Sequence, residues 1–195
     1  MLTTGGKKIQ LDIQGIYDSL DYAGDAYLAG FKIDEEGNNS PTIARVNNTT
    51  AAVTYWPFEG IPNDIFVHEE KAHAIITDGQ VYMLQGEQWE LTAKRYPRES
   101  QIIYSDHKKE LVICHPASAE KTGDPASGCF SVHKGWQLNV VWVSVVPRVC
   151  NGNLYIVEER GMSKEWKNVS LVTGKVLESS PIKNVPEDLC RLKNE

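Results

Sequence analysis

Apolar residues alternate with polar residues along most of the chain, and this alternation is what most limits the fold. Every second residue is apolar in four segments, Ile9–Ile13, Tyr27–Ile33, Trp89–Ala93 and Trp136–Trp142. Because successive side chains of a β-strand point to opposite faces, a period of two predicts strands with one buried face. The longer period expected of an amphipathic helix is nearly absent. The sequence therefore predicts an all-β protein.

Short turn sequences separate the predicted strands. The two strongest are Asp78-Gly79 and Asn151-Gly152. Each is typical of a type I′ turn, since that turn needs a positive φ at both central positions and Asn, Asp and Gly tolerate it. Tight turns of this kind predict hairpins and therefore antiparallel sheets.

Four short apolar runs recur at intervals of 47, 37 and 43 residues, starting at Tyr27, Ala74, Leu111 and Leu154. An interval of this size is typical of one four-stranded antiparallel blade of a β-propeller. We predict a single all-β domain over residues 1–195, a small propeller of about four blades with parts of a fifth as an option. The blades lie at about residues 15–58, 61–94, 97–143 and 146–180. Terminal segments close the ring, and a β-sandwich is the alternative.

The chain resembles β-propeller repeat proteins in this rhythm over about residues 15–180. Segment Ala74–Trp89 is similar to a blade of the four-bladed hemopexin-like domains, and the resemblance implies four blades. That family joins its first and last blades by a disulfide, whereas no cysteine precedes Cys114 here. The Gly-His and Trp-Asp pairs of WD40 repeats are absent.

Charge and hydropathy exclude several partners. The net charge is −6, and residues 1–98 carry 14 acidic against 8 basic side chains. Nucleic-acid binding needs a basic stripe, which is absent, so we expect no nucleic-acid partner. No apolar run reaches the roughly 18 to 20 residues that cross a bilayer, and the first residues lack the apolar segment of a secretory signal. We therefore expect a soluble, cytoplasmic protein with no membrane partner.

The cysteines all lie in the second half of the chain, at Cys114, Cys129, Cys150 and Cys190. A secreted protein could pair them in three ways, but a cytoplasmic location predicts reduced thiols. Cys114 and Cys129, together with His115 and His133, are residue types that commonly bind zinc. Neighbouring residues of a strand point to opposite faces, so Cys114 and His115 cannot both join one site, and we expect no metal.

Other motifs with known chemistry are incomplete. The histidines of His68–His73 are five residues apart, whereas zinc binding on one helix face needs a spacing of four, so the run predicts a charged hairpin turn. Loop Asp34–Asn39 resembles a calcium loop but has Arg45 where the bidentate Glu would stand, which favours a solvated loop. Neither a nucleophile elbow nor a phosphate-binding glycine loop occurs. We expect no cofactor.

A propeller would bring the loops that enter its innermost strands to one mouth of a central channel. We predict a polar ligand-binding ring there, composed of Asp64, Arg98, Glu99, Arg148 and Glu187.

The aromatic residues Trp56 and Phe58, on either side of Pro57, form a rival surface. Exposed aromatic side chains often anchor protein partners, whereas packing inside the fold is the alternative role.

These patterns favour a non-enzymatic binding or protein-interaction module for a small polar ligand or an unidentified protein. The alternative is a small hydrolase or lyase at the channel mouth with His68, His107 or His133 as its base. A strongly shifted histidine pKa beside a deep pocket would favour that enzyme. A homodimer formed through an unpaired edge strand is a third hypothesis.

Overall fold

The computed structural model of the chain describes residues 2–4, 7–105, 110–116, 127–141, 146–183 and 190. Within these ranges the chain forms eighteen β-strands and no α-helix. In the same ranges, no helix has the length and apolar character needed to cross a membrane. The chain divides into two compact units, Met1–Glu99 and Ser100–Glu195.

The first unit contains a short hairpin and two four-stranded sheets. The hairpin pairs β1 (Leu2–Thr4) with β2 (Lys7–Ile9). The first sheet has the order β3 (Gln14–Tyr22), β4 (Asp25–Ile33), β5 (Asn39–Asn47), β6 (Val53–Pro57). The second has the order β7 (Pro62–His68), β8 (Lys71–Ile76), β9 (Gln80–Gln85), β10 (Gln88–Arg95). All the pairings are antiparallel.

The second unit contains two further four-stranded antiparallel sheets. The third sheet has the order β11 (Gln101–Ser105), β12 (Leu111–His115), β13 (Gly128–Ser131), β14 (Gln137–Asn139). The fourth has the order β15 (Arg148–Cys150), β16 (Asn153–Arg160), β17 (Ser163–Ser170), β18 (Val176–Ile182). Each four-stranded sheet thus uses strands that are consecutive in sequence.

Four antiparallel meanders of four strands are consistent with a four-bladed propeller, so the predicted all-β fold class is confirmed. The recurring apolar runs explain this regularity. Each run lies in the second strand of its sheet, namely β4, β8, β12 or β16. These inner strands have hydrogen-bonded neighbours on both sides, and every residue of β12 is buried. A continuous apolar run is typical of such a strand because neither of its faces meets water.

The predicted strand at Ile9–Ile13 is wrong, because β2 ends at Ile9. Ile9 and Ile13 are nevertheless buried, in a cluster with Leu28. The N–H of Asp12 donates to the hydroxyl of Tyr55 at 3.0 Å. The alternation therefore reflects the burial of Ile9 and Ile13 and not a strand. The backbone N–H of Asp12 is bonded by a side chain instead of by a neighbouring strand.

The predicted buried face of Trp89–Ala93 is also only partly formed. Trp89 is half-buried, whereas Leu91 is 56% exposed. These residues lie on β10, which is an edge strand of the second sheet. An edge strand has fewer neighbours than the inner strand β8, so the alternation does not lead to full burial.

The cysteine prediction is wrong as well. All four cysteines are paired, as Cys114–Cys129 and Cys150–Cys190. Cys114 on β12 stands directly opposite Cys129 on β13, with their Cα atoms 4.0 Å apart. The strand register thus brings the two sulfurs together, which the sequence does not specify. A disulfide has no free thiolate, so these cysteines are excluded as zinc ligands in this state.

The acidic loop after β4 is the solvated loop that the sequence predicts. Asp34 Oδ1 accepts hydrogen bonds from the backbone N–H groups of Glu36 at 3.0 Å and Asn38 at 2.7 Å. Asn38 Nδ2 also donates to Asp34 Oδ2 at 2.9 Å. These hydrogen bonds, the Asn38 side-chain bond foremost, lower the pKa of Asp34. The carboxylate therefore serves to hold the turn.

The two predicted type I′ turns have different outcomes. Asn151 and Gly152 have φ values of 51° and 78° between the paired residues Cys150 and Asn153, which confirms that turn. The connection at Asp78-Gly79 has three residues instead, and only Gly79 has a positive φ, at 89°.

The backbone of Tyr96 explains why Gly79 is needed. The N–H of Tyr96 donates to the Gly79 carbonyl at 2.9 Å. A Cβ at Gly79 would lie only 1.9 Å from the Tyr96 carbonyl oxygen. Both the positive φ and this close approach therefore demand glycine.

We predict that Gly79→Ala lowers the free energy of unfolding by about 3 kcal/mol or more, because a backbone carbonyl must move. Gly37→Ala is the matched control. Gly37 has nearly the same φ, 86°, but no atom within 4 Å of its Cβ position. The control should lose only about 1 kcal/mol, the cost of the left-handed conformation. Urea denaturation of both variants measures the difference, and equal losses would contradict the packing argument.

Candidate functional site

Four aromatic side chains of the first unit line one cavity. Its volume is about 270 Å³, and its walls are Trp56, Pro57, Phe58, Glu59, Tyr82, Gln88 and Trp89. Trp56 lies at the end of β6 and Phe58 follows it, whereas Tyr82 lies on β9 and Trp89 on β10. The cavity is therefore built where the last strand of the first sheet meets the last two strands of the second. We call it the aromatic pocket.

The rings of the aromatic pocket meet edge to face. The centroid distance is 4.9 Å for Phe58 and Tyr82, 6.1 Å for Phe58 and Trp89, and 6.5 Å for Trp56 and Trp89. Edge-to-face packing is favourable because the positive edge of one ring meets the negative face of the next. Behind the pocket, the buried ring of Tyr27 stacks on Trp56 at 6.4 Å. Each of the four aromatic wall residues is thus packed against another ring.

Hydrogen bonding fixes the orientation of Trp56. Its indole N–H donates to the carbonyl oxygen of Glu87 at 3.0 Å, and its side chain is buried. Glu87 lies in the turn between β9 and β10, so this bond also connects the first sheet to the second. The guanidinium of Arg45 on β5 lies 3.5 Å from the Glu87 carboxylate in the same turn. It also lies 2.5 Å from the buried carboxylate of Asp25. Trp56 is therefore a rigid wall.

The Trp89 indole N–H differs from that of Trp56. It is buried and has no hydrogen-bond partner within the described part of the chain. Its ring stands nearly perpendicular to that of Tyr27, at 88°. Trp89 is therefore positioned by ring packing rather than by a hydrogen bond.

The electrostatic character of the aromatic pocket is acidic. Glu59 is exposed, and the seven wall residues include no lysine, arginine or histidine. Burial raises the pKa of Tyr82, and the negative charges of Glu59 and Asp78 raise it further. The field of these carboxylates therefore reaches the pocket wall. An anion would be repelled there.

The sequence singled out two of these wall residues, Trp56 and Phe58, as a partner surface. The structure places both in the aromatic pocket, with Trp56 only 9% exposed and Phe58 half-buried. Sequence reasoning missed the roles of Glu59, Tyr82 and Trp89. The available signal was weak: Tyr82 and Trp89 flank the Gly86-Glu87 turn, and such hairpin neighbours can line one surface.

The structure describes four of the five residues of the predicted channel ring. Asp64 is half-buried on β7, and Arg98 and Glu99 are exposed in the turn after β10. Arg148 is the exposed first residue of β15 in the second unit. Glu187 lies outside the described residues. The ring itself stays a prediction.

The run His68–His73 forms the predicted hairpin turn, with positive φ at Glu69 and Glu70. Its two histidines are buried, which the sequence did not indicate. The ring of His73 stacks on Phe66 at 5.4 Å, and His73 Nδ1 lies 3.0 Å from the carbonyl oxygen of Lys71. Burial lowers the pKa of His73 to about 4. His73 is therefore neutral at pH 7 and acts as a packing residue.

We predict that His73 makes the unit less stable in acid. An unfolded histidine has a pKa of about 6.5, so the unfolded chain binds the extra proton between pH 6.5 and the folded value of about 4. The contribution of His73 to the free energy of unfolding should be fully present above pH 6.5. It should fall by about 3 kcal/mol as the pH drops from 6.5 to about 4. His73→Phe should lack this component in urea denaturation at several pH values. A constant difference between the two proteins at every pH would contradict the assignment.

A second cavity lies within the second unit. Its volume is about 380 Å³, and its walls are Tyr104, Glu110, His133, Lys134, Gly152, Leu171 and Val172. The hydroxyl of Ser131 donates to Glu110 Oε1 at 2.6 Å and accepts from the Lys134 N–H at 2.8 Å. His133 is exposed in the turn between β13 and β14. Of the histidines named as candidate bases, His107 lies outside the described residues.

Comparison with known proteins supports the fold class. No protein-family model matches the sequence, and no curated protein matches it. Among solved structures, the chain is similar to Kuenenia stuttgartiensis hydrazine synthase, with a TM-score of 0.50 and 12% identity over 91% of this chain and 52% of that chain. It therefore spans about half the length of that chain.

A second similar structure is a putative oxidoreductase (glucose dehydrogenase) from Thermus thermophilus. The TM-score is 0.51, with 12% identity over 92% of this chain and 76% of that chain. At this level of identity the likeness shows the fold alone. The fold and these neighbours define the chain as an all-β, propeller-like protein.

Proposed function

We propose that the chain is a non-enzymatic binding module and that the aromatic pocket is its binding site. The observation that carries this proposal is the set of four interlocked rings around a cavity of about 270 Å³. Aromatic side chains supply much contact area at little cost in conformational entropy, and they dominate many recognition sites. The volume suits a small molecule or a single side chain of a partner.

The wall residues of the aromatic pocket favour binding over catalysis. Glu59 and Tyr82 are the ionisable groups among the seven, and burial keeps the pKa of Tyr82 raised. No Ser, Cys or Lys nucleophile stands beside a histidine base among these walls. The rigid placement of Trp56 by Glu87 is instead suited to a preorganised binding wall.

The predicted ring of Asp64, Arg98, Glu99, Arg148 and Glu187 is a separate proposal for the same function, at a channel mouth. It would take a more polar ligand than the aromatic pocket, since its members are carboxylates and guanidinium groups.

The proposed function is tested with a panel of amines, sugars, amino acids, carboxylates and nucleosides at millimolar concentration. Nuclear magnetic resonance follows the indole N–H signals of Trp56 and Trp89. We expect at least one chemical class to shift these signals, and Phe58→Ala to weaken that response at least tenfold because it removes one wall. Phe31→Ala, a half-buried ring outside the pocket, is the control and should keep the response. A panel without any response would overturn the proposal.

A hydrolase or lyase is the second candidate function. The second cavity favours it, because His133 lines that cavity together with Tyr104 and Glu110, and such groups can transfer protons. Chromogenic esters, glycosides and phosphate esters test this candidate. His133→Ala should reduce their turnover at least 100-fold if the candidate is right. Lys175→Ala, which lies outside the cavity, is the control and should leave the turnover intact. Absence of turnover in the unaltered protein would reject the candidate for these substrates.

The two disulfides favour an oxidising compartment over the cytoplasm that we expected from the sequence. Disulfides persist in such compartments and are rare where glutathione keeps thiols reduced. A hemopexin-like relationship is not supported by these bonds, since neither Cys114–Cys129 nor Cys150–Cys190 reaches the first sheet. A homodimer through an edge strand stays a hypothesis for sedimentation measurements.

A further inference from the structure

We propose that the ligand group of the aromatic pocket is a quaternary ammonium cation. The inference rests on the proposed function, because it names the chemistry that the same site would bind. The cation would contact the rings of Trp56, Phe58, Tyr82 and Trp89, and Glu59 would balance its charge. The group could belong to a free small molecule or to a trimethylated lysine of a partner, and the experiment separates these sources.

The rings provide the first argument. The face of an aromatic ring is negative, and a cation within about 6 Å of a ring centroid is attracted to it, most strongly for tryptophan. Phe58 and Tyr82 meet at 79°, and Trp56 and Trp89 meet at 82°. Rings at near right angles form the adjoining walls of a corner rather than a flat stack. A rounded cation can therefore contact several of them at once.

Charge provides the second argument. Glu59 is the one charged side chain among the seven pocket walls, and its charge, with that of Asp78, acts on the wall residue Tyr82. The guanidinium of Arg45, which lies near the Trp56 end, already contacts the carboxylates of Asp25 and Glu87. Its positive charge is thus compensated. A cation would be attracted, and a neutral group of the same shape would gain no such attraction.

The scarcity of hydrogen-bond acceptors favours a quaternary over a primary ammonium. A primary ammonium has three N–H donors, and each loses stability if it is buried without an acceptor. Among the pocket side chains, Glu59, Gln88 and the hydroxyl of Tyr82 carry the oxygen acceptors, and the side chains of the other four walls carry none. A quaternary ammonium has no N–H donor and presents methyl groups to the rings. The site therefore matches its chemistry better.

The test compares choline with 3,3-dimethyl-1-butanol, which has the same shape but no charge. Indole N–H shifts of the intact protein give both dissociation constants. We expect choline to bind at least about tenfold more tightly than the neutral compound, and more tightly than ethanolamine. Glu59→Gln should weaken choline several-fold and leave the neutral compound unchanged. Glu36→Gln is the control, because Glu36 is an exposed carboxylate in the loop after β4.

The outcomes separate the inference from the proposed function. Equal binding of choline and its neutral counterpart, or binding of glucose alone, would overturn the cation inference and leave a binding pocket in place. No response to choline, its counterpart or the earlier panel would overturn both. A peptide with trimethyl-lysine that binds more tightly than choline would support the cation and assign it to a partner protein. Tighter binding of free choline would support the cation as a small molecule.

Discussion

The packing of the first sheet against the second is the constraint on which the aromatic pocket depends. Tyr27 and Trp56 of the first sheet share a buried cluster with Ile65 of the second. Two hydrogen bonds reinforce this contact. The indole N–H of Trp56 donates to Glu87 at 3.0 Å, and Asp18 accepts from the N–H of Ile65 at 2.7 Å. Since each bond joins groups more than thirty residues apart, the pocket exists only in the folded unit.

Buried polar groups in the first unit are compensated in two different ways. The buried carboxylate of Asp25 is paired with the guanidinium of Arg45 at 2.5 Å. His73 loses its charge instead, because it stacks on Phe66 and burial lowers its pKa to about 4. Both solutions avoid an unpaired charge in an apolar interior. Glu59, at the wall of the aromatic pocket, is by contrast an exposed carboxylate.

The sequence predicted more of the fold than of the candidate site. The spacing of the recurring apolar runs predicted four-stranded units. Each run proved to lie in an inner strand, which is apolar on both faces, and that requirement is visible locally. The turn at Asn151-Gly152 was equally local. At Asp78-Gly79 the prediction was wrong because the connection has three residues, and Gly79 lies against the backbone of Tyr96, seventeen residues away. Trp56 and Phe58 were recognised as candidates, but Tyr82 and Trp89 become their neighbours only through sheet packing.

The sequence by itself determined the period of two, the turns and the spacing of the apolar runs, and these specify antiparallel strands through short-range sterics and hydrogen bonding. Only the tertiary structure decided which side chains share a cavity and which sulfurs pair. Cys114 faces Cys129 because β12 and β13 adopt one register, and Glu59 stands beside Tyr82 because the loop after β6 meets β9. Contacts of this kind depend on long-range packing, whose energy is spread over many residues and leaves no local pattern.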